Sequence, residues 1–476
     1  MRICRHWQQR AVVVYAAVIV CGGVLAMAQV VDGQNQDAAA QTAAMASQTG
    51  TATPDDGFAI RSKAAHLYNP CGGPHVDIEQ LNSLGFDSTM PVFTDTITGT
   101  NALRQKMLCH NYTYRGASFP NFALDVRQPP TTDAGQVYDG QLPTWAVGGA
   151  VSLVADLKDL HLPGYQLTLT LIMGRANWVW AEPNNVKMLE AVFYKTFFNG
   201  RLAFRTGYEH TESEFLGMQV GGSAASGSQG VYAVLPYEVG MSYPPLSSPV
   251  FIMRVQPVGN FYLKGGVQRS ISPQGELVDL QRDQAGFRFI PKGDKALLMS
   301  EAGYNRPSAP GKPEFWLRGG YLGNTTPYPN LRTNTNTTGN YCGFFLADRQ
   351  FTQHDQDHPD HGFYVGISGM TAPESMNAYS RYYELRMYQN APFRRRPKDM
   401  TSLVASYSTY SSYTVKQLLA QGKTAAVRTG TITGSYNIRL MRGTYVSTGI
   451  SYNLRPAITP RLQGALLFLA SASLFF

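Results

Sequence analysis

Apolar and polar residues alternate with a period of two along most of this chain. In Thr429–Met441, Ile432, Gly434, Tyr436, Ile438 and Leu440 share one face, and Thr431, Thr433, Ser435, Asn437 and Arg439 the other. In Thr444–Leu454, Val446, Ile450, Tyr452 and Leu454 oppose Ser447, Gly449, Ser451 and Asn453. The final segment puts Leu462, Leu466, Phe468, Ala470, Ala472, Leu474 and Phe476 on one side against Arg461, Gln463, Ser471 and Ser473. Leu167/Leu169/Leu171/Met173 against Gln166/Thr168/Thr170, and Phe363/Val365/Ile367 against Tyr364/Gly366/Ser368, repeat the pattern. Such alternation marks strands with two different faces.

About 17 candidate strands succeed one another, separated by Gly, Pro, Asn and Asp clusters. They begin near residues 118, 144, 165, 186, 201, 250, 261, 286, 295, 314, 339, 360, 377, 401, 428, 444 and 461. Many apolar faces carry Leu, Phe and Tyr without charge, as a lipid-facing band requires. The opposite faces scatter single charges among Ser, Thr, Gly and Asn, which a watery lumen tolerates and a dry core does not. The expected fold is all-β: an antiparallel transmembrane barrel of 16 strands, or 18, over residues 118–476. An even count is required, so one of the 17 is not a wall strand. A short helix is expected at Asn101–Cys109, within an N-terminal segment, 63–117, of undefined structure.

Composition agrees. Charged residues make up only 15% of the 476 residues, with 27 Tyr, 23 Phe and 46 Gly. Mean hydropathy is −0.20, and past the N-terminus no apolar run is long enough for a membrane helix. Residues 1–28 have the order of a signal peptide: Arg2, Arg5 and Arg10, an apolar stretch from Ala11 to Leu25, then Ala26-Met27-Ala28. An uncleaved anchor helix is the alternative. Residues 29–62, rich in Gln, Ala, Thr and Ser, form a flexible leader.

The net charge of +8 is spread out, with no basic run longer than Arg394-Arg395-Arg396, so no nucleic-acid partner is expected. No Gly-x-Ser-x-Gly elbow, phosphate loop or paired zinc-cysteine motif occurs; the chain is expected to be no enzyme and to need no cofactor. Export permits a disulfide, with Cys71–Cys109 as the candidate and Cys342 left free in a strand. Gln353–His361 gathers three histidines and three aspartates without ordered ligand spacing, and is expected to be a solvated loop rather than a metal site.

Strand parity places Arg205, Lys264, Arg318, Arg386, Arg439, Glu301 and Glu384 on polar faces. Charged side chains there set the field inside a pore, and guanidinium groups donate paired hydrogen bonds to hydroxyls. Five bases against two acids suggest an excess of three positive charges and an anion preference. Trp316 shares a face with Arg318 and is the better candidate for stacking on a ligand ring; Trp178 and Trp180 suit an interfacial girdle.

Several segments, in order, resemble the carbohydrate-selective OprB-type outer-membrane porins. They are AVGGAVSLVADLKDLHLPGYQLTLTLIMGRAN (146–177), MLEAVFYKTFFNGRLAFRTGYEHTESEF (188–215), GNFYLKGGV (259–267), ALLMSEAGY (296–304), RRPKD (395–399) and the strand ending in Phe476. The family's usual Gly-Asp-Trp-Gly-Gly segment is missing, and only LRQKMLCH (103–110) resembles the family's next segment. The resemblance implies a 16-stranded barrel in the bacterial outer membrane, a monomer or weak homo-oligomer. Its partners would be membrane lipid, a carbohydrate substrate and the barrel-assembly machinery. Glu190 and Glu301 match acidic positions of the family segments. The alternative function is a barrel-anchored surface protein for carbohydrate binding or adhesion; an outer-membrane hydrolase is a third.

Overall fold

The computed structural model describes residues 96–97, 102–127, 135–162, 164–178, 185–198, 200–217, 234–283, 285–289 and 293–476. The expected signal peptide, the leader, Cys71 and Trp180 lie outside these residues. Sixteen antiparallel strands close into one barrel. In chain order they are β1 (Tyr112–Asp125), β2 (Thr144–Asp156), β3 (Tyr165–Ala176), β4 (Asn185–Phe197), β5 (Leu202–Glu209), β6 (Ser248–Val258), β7 (Phe261–Arg269), β8 (Ala296–Arg306), β9 (Phe315–Asn324), then β12 (Asn340–Gln350), β13 (Gly362–Thr371), β14 (Tyr379–Asn390), β15 (Met400–Tyr410), β16 (Arg428–Met441), β17 (Thr444–Asn453) and β18 (Ala465–Phe475). Between β9 and β12, the short β10 (Tyr328–Asn330) and β11 (Thr335–Thr337) pair only with each other. The seam joins β1 to β18. No helix among the described residues is long and apolar enough to cross a membrane.

Each wall strand turns one parity outward. Leu171, Leu298, Tyr383, Ile432 and Ile450 are exposed large apolar residues on that outer face, and Thr168, Arg386 and Thr433 point inward from the same strands and are buried. A one-residue slip would invert every face, so the alternation fixes the register.

Two expectations need correction. The first strand begins at Tyr112, not near 118, because residues 112–116 pair with Val151–Ala155 of β2. The candidate near 286 is not a wall strand. Gly286 there has φ +81°, and Phe287 and Phe289 meet the Tyr208 ring of β5 edge-on, with centroids 6.2 and 6.4 Å away. The Tyr208 hydroxyl donates to the Phe287 carbonyl at 2.9 Å. The expected helix is present as Ala102–Cys109. Cys109 is disulfide-bonded, and Cys342 is free and buried.

The two rims differ. Tight turns at 198–201, 259–260 and 442–443 lie on the rim that also holds the start of β1 and the end of β18. The last is a short turn whose Gly443 has φ +66°, a left-handed conformation that glycine adopts without steric cost. The opposite rim carries the long connections 210–247 and 270–295.

Candidate functional site

The connection between β5 and β6 folds back into the barrel. Phe215, Leu216, Leu235, Val239 and Met241 from it form one buried cluster with inward residues of six strands, including Ile252, Leu297, Leu322, Cys342, Leu346 and Met370. Six of the sixteen wall strands therefore give apolar side chains to the interior, where a porin lumen is usually polar. Burying Phe215, Leu235, Val239 or Met241 contributes about 1.5–3 kcal/mol each, which offsets the cost of ordering the segment.

Polar contacts fix its position. Asn324 Nδ2 donates to the Val239 carbonyl at 2.5 Å and Gln268 Nε2 to the Gly240 carbonyl at 3.1 Å. Gly240 has φ +100°, and a Cβ there would lie 2.3 Å from Ser270 Oγ. The Tyr379 amide of β14 donates to Glu238 Oε2 at 2.9 Å, and the Tyr237 hydroxyl to Glu212 Oε1 at 2.5 Å. Burial pushes the Glu238 carboxyl up to about 8 and that of Glu212 up to about 7.

Three of the charged residues singled out by parity, Arg205, Lys264 and Arg318, meet this segment. Arg205 pairs with Glu209 and Glu214. Lys264 lies 3.2 Å from Glu301 Oε1 and also donates to the Glu214 carbonyl. Arg318 donates to the carbonyls of Phe215, at 3.2 Å, and Gly217. Its guanidinium carbon sits 3.8 Å above the Trp316 ring, a cation–π contact. Trp316 Nε1 donates to the Tyr262 hydroxyl at 3.1 Å, and that hydroxyl donates to Glu301 at 2.8 Å. Further round the wall, Arg386 pairs with Asp348 at 3.0 Å and with Glu384. Gly366 makes room for that pair; a Cβ there would lie 2.1 Å from Asp348 Oδ1 and 2.8 Å from Arg386 Nε.

This changes the sequence picture in two ways. Arg318 and Trp316 are only 1% and 2% exposed: Arg318 gives its hydrogen bonds to the inserted segment and stacks on Trp316, whose Nε1 goes to Tyr262. The positive excess also vanishes in this network: Arg205, Lys264 and Arg386 pair with Glu209, Glu214, Glu301, Asp348 and Glu384, and with Arg318, which donates to carbonyls, four bases stand against five acids. Glu190 is half-buried at the edge of the network, accepting from Thr170 Oγ1 at 2.8 Å, with His210 Nδ1 4.0 Å away. Burial holds the His210 imidazole below its usual range. Arg439 lies on β16 outside the network, its amide donating to Asp399 at 2.9 Å. A second buried ion cluster anchors the 270–295 connection: Arg269 lies 2.9 Å from Asp279 and 3.4 Å from Asp294.

Glu209, Glu214 and Asp348 were not singled out in the sequence. Asp348 carries a usable signal, since it is a charge on the inward parity of Cys342, Phe344 and Leu346. Glu214 carries none, because its segment has no strand period.

The remaining wall is different. Between β15, β16 and β17, hydroxyls pair across strands: Ser402 with Ser435 at 2.7 Å, Ser406 with Thr431 at 2.8 Å, and Thr433 with Ser451 at 2.7 Å. On the far side of the seam, Ser152 and Thr170 lie 2.8 Å apart. Ser406, Thr431, Ser435 and Ser471 are half-buried and Asn121 is exposed. Among the described residues the apolar clusters along this lane are small: Ala465 and Leu467 with Tyr138 and Leu462, and Met400 with Tyr445.

Asp355, His358 and His361 bring their ligating atoms within 4.8 Å of one another in the 351–361 turn. Asp355 already binds His358 Nδ1 at 3.0 Å, and the two imidazoles stack at 4.8 Å. The turn lies on the tight-turn rim, away from the inserted segment. Trp178 is half-buried just past β3.

The model of the carbohydrate-selective porin family OprB matches residues 146–468. No curated protein sequence matches the chain. Among solved structures, the high-pH form of Pseudomonas putida OprB superposes with a TM-score of 0.68 at 14% identity, covering 81% of this chain and 100% of that one. The low-pH form gives 0.51 at 13% identity, covering 82% and 100%. At these identities the likeness to the two structures is one of fold.

Proposed function

The chain belongs to the OprB family of carbohydrate-selective porins, and from that premise we propose how its lumen handles sugar. The protein is an outer-membrane barrel through which carbohydrates diffuse into the periplasm. Its lumen is divided. The inserted segment, held by Arg205, Lys264 and Arg318, narrows one half. The hydroxyl lane along β15–β18 and β1–β3 is the path that meets the sugar.

The observation that carries this reading is the asymmetry of the wall. Buried, mutually paired charges and an apolar cluster line one side, and half-buried hydroxyls line the other. Hydroxyls that donate and accept suit a neutral polyol, and they bind weakly enough at each step to let it leave. Glu190, Arg386, Glu384 and Glu301 act on the sugar only through the shape they give the constriction. By the general rule for such barrels, the long-loop rim faces outside and the tight-turn rim the periplasm. The protein works as a monomer or weak homo-oligomer, as the family resemblance supports. Insertion of such a barrel would be the work of the barrel-assembly machinery, a partner the family resemblance supports. Nothing in this function requires catalysis.

Single-channel recording tests the division. Stepwise conductance blocked by neutral sugar is expected, and Thr431→Val with Ser435→Ala should weaken the block several-fold while leaving salt conductance unchanged. An unchanged block in that double variant overturns the lane. Absence of conductance overturns an open pathway in this barrel.

A further inference from the structure

The C-terminal part of the chain is electrically one-sided. Residues 400–476 contain seven Lys and Arg and no Asp or Glu. Five of the seven, Lys416, Lys423, Arg428, Arg455 and Arg461, fall in or beside the 411–427 and 454–464 connections on the long-loop rim. Arg428, Arg455 and Arg461 line one cavity of about 190 Å3, with Ala425, Ala426 and Leu454. Among the described residues, none of the three arginines is ion-paired with a carboxylate. Elsewhere in this barrel, buried Arg205, Arg269 and Arg386 each hold at least two acids. Three arginines lining one cavity without a carboxylate repel one another unless an anion joins them.

The cavity opens on the outside of the wall. Arg428 pairs across the ladder with Thr409 and shares the outward parity of Ile432, which is exposed. Leu454, at the end of β17, shares that of Ile450 and Tyr452. The site therefore sits immediately above the apolar outer face formed by Ile432, Ile450, Tyr452 and Phe468. Arg127 extends it across the seam, its guanidinium carbon 5.5 Å from the Tyr452 ring centroid. The backbone around it is tied down: Ala426 N donates to Ile458 O at 2.8 Å, and Thr429 Oγ1 to Arg455 O at 2.6 Å. Arg455 Nη1 donates to Leu462 O at 2.9 Å.

We propose that this cavity binds a phosphate group on the headgroup of an outer-leaflet glycolipid, whose acyl chains lie on the apolar face below. Guanidinium forks match phosphate oxygens two at a time. The junction of apolar wall and basic rim fits a molecule with a phosphorylated sugar head and hydrocarbon tails better than it fits a soluble anion. The inference does not depend on which sugar crosses the lumen.

The test uses the full-length barrel in detergent, titrated with lipid A carrying two phosphates, lipid A stripped of phosphate, and inorganic phosphate, with binding read by native mass spectrometry. Tight binding is expected for the phosphorylated lipid alone. The Arg428→Ala/Arg461→Ala double variant should lose roughly 30-fold at low salt, and Arg428→Lys/Arg461→Lys should recover much of it. Arg442→Ala, an exposed arginine on the opposite rim, should change nothing. Heat-modifiable gel migration reports that each variant is folded. Equal binding of the stripped lipid, an equal loss in Arg442→Ala, or inorganic phosphate binding as tightly as the lipid would each overturn the proposal.

Discussion

The ring of Phe476 occupies the space that a side chain at Gly116 would fill. A Cβ on Gly116 would lie 2.1 Å from Phe476 Cε2, and the two residues exchange backbone hydrogen bonds of 2.8 and 2.9 Å. Phe476 thus closes the seam against the first strand. Deleting Phe476 should impair barrel assembly while leaving export intact. Gly116→Ala should be milder, about 1–3 kcal/mol for an overpacked site, because a terminal ring can turn aside. Outer-membrane yield and heat-modifiable migration measure both; full yield in the deletion would refute the closing role.

Arg318 should act on the inserted segment. Arg318→Ala leaves the Phe215 and Gly217 carbonyls without their charged donor, and single-channel conductance should rise and become noisier. Arg318→Lys supplies one point charge instead of a fork and should recover only part of the wild-type trace. Conductance unchanged in Arg318→Ala would show that the segment stays docked without it.

Ion preference should be weak in the wild type, because the network pairs its charges. Asp348→Asn removes one partner of Arg386 inside a buried cluster. Breaking such a pair costs about 3–5 kcal/mol, so a lower unfolding temperature is expected, with a reversal potential displaced toward anions. Gly366→Ala should disturb the same pair sterically without changing charge. A strong anion preference in the wild type would contradict the pairing.

Docking of the segment should depend on pH through Glu212 and Glu238. Both carboxyls are raised above the ordinary 4.5 when docked, to about 7 and about 8. The docked form therefore binds protons that the solvated loop releases. Its stabilisation is fully present below about 4.5 and is lost as pH rises through 7 to 8. Conductance should increase over that window, and Glu238→Gln should flatten most of the rise. A pH-independent trace in the wild type would dismiss the coupling.

The wall was legible in the sequence because its signal is local. From Thr429 to Arg439 the residues declare their faces by parity, and Thr431, Thr433 and Ser435 point inward as the alternation says. The site was legible only in part, because its partners come from elsewhere. Arg205 finds Glu214 in a segment with no strand period. Arg386 finds Asp348 two strands away in the barrel, a distance in sequence of 38 residues. Parity identifies which side a charge faces; it is silent on what a long connection brings to meet it. The same limit explains Arg318 and Trp316, whose shared face was evident and whose burial under that connection was not.

Cys342 has a consequence of its own. It is the free thiol among the described residues, and it lies at 0% exposure within the cluster formed by Val239 and Met241 of the inserted segment. The chain therefore carries a built-in gauge of its own constriction. A small thiol reagent can reach that sulfur only when the segment lifts, so the rate of labelling counts openings in a bilayer or a living cell, without an electrode and without altering a residue.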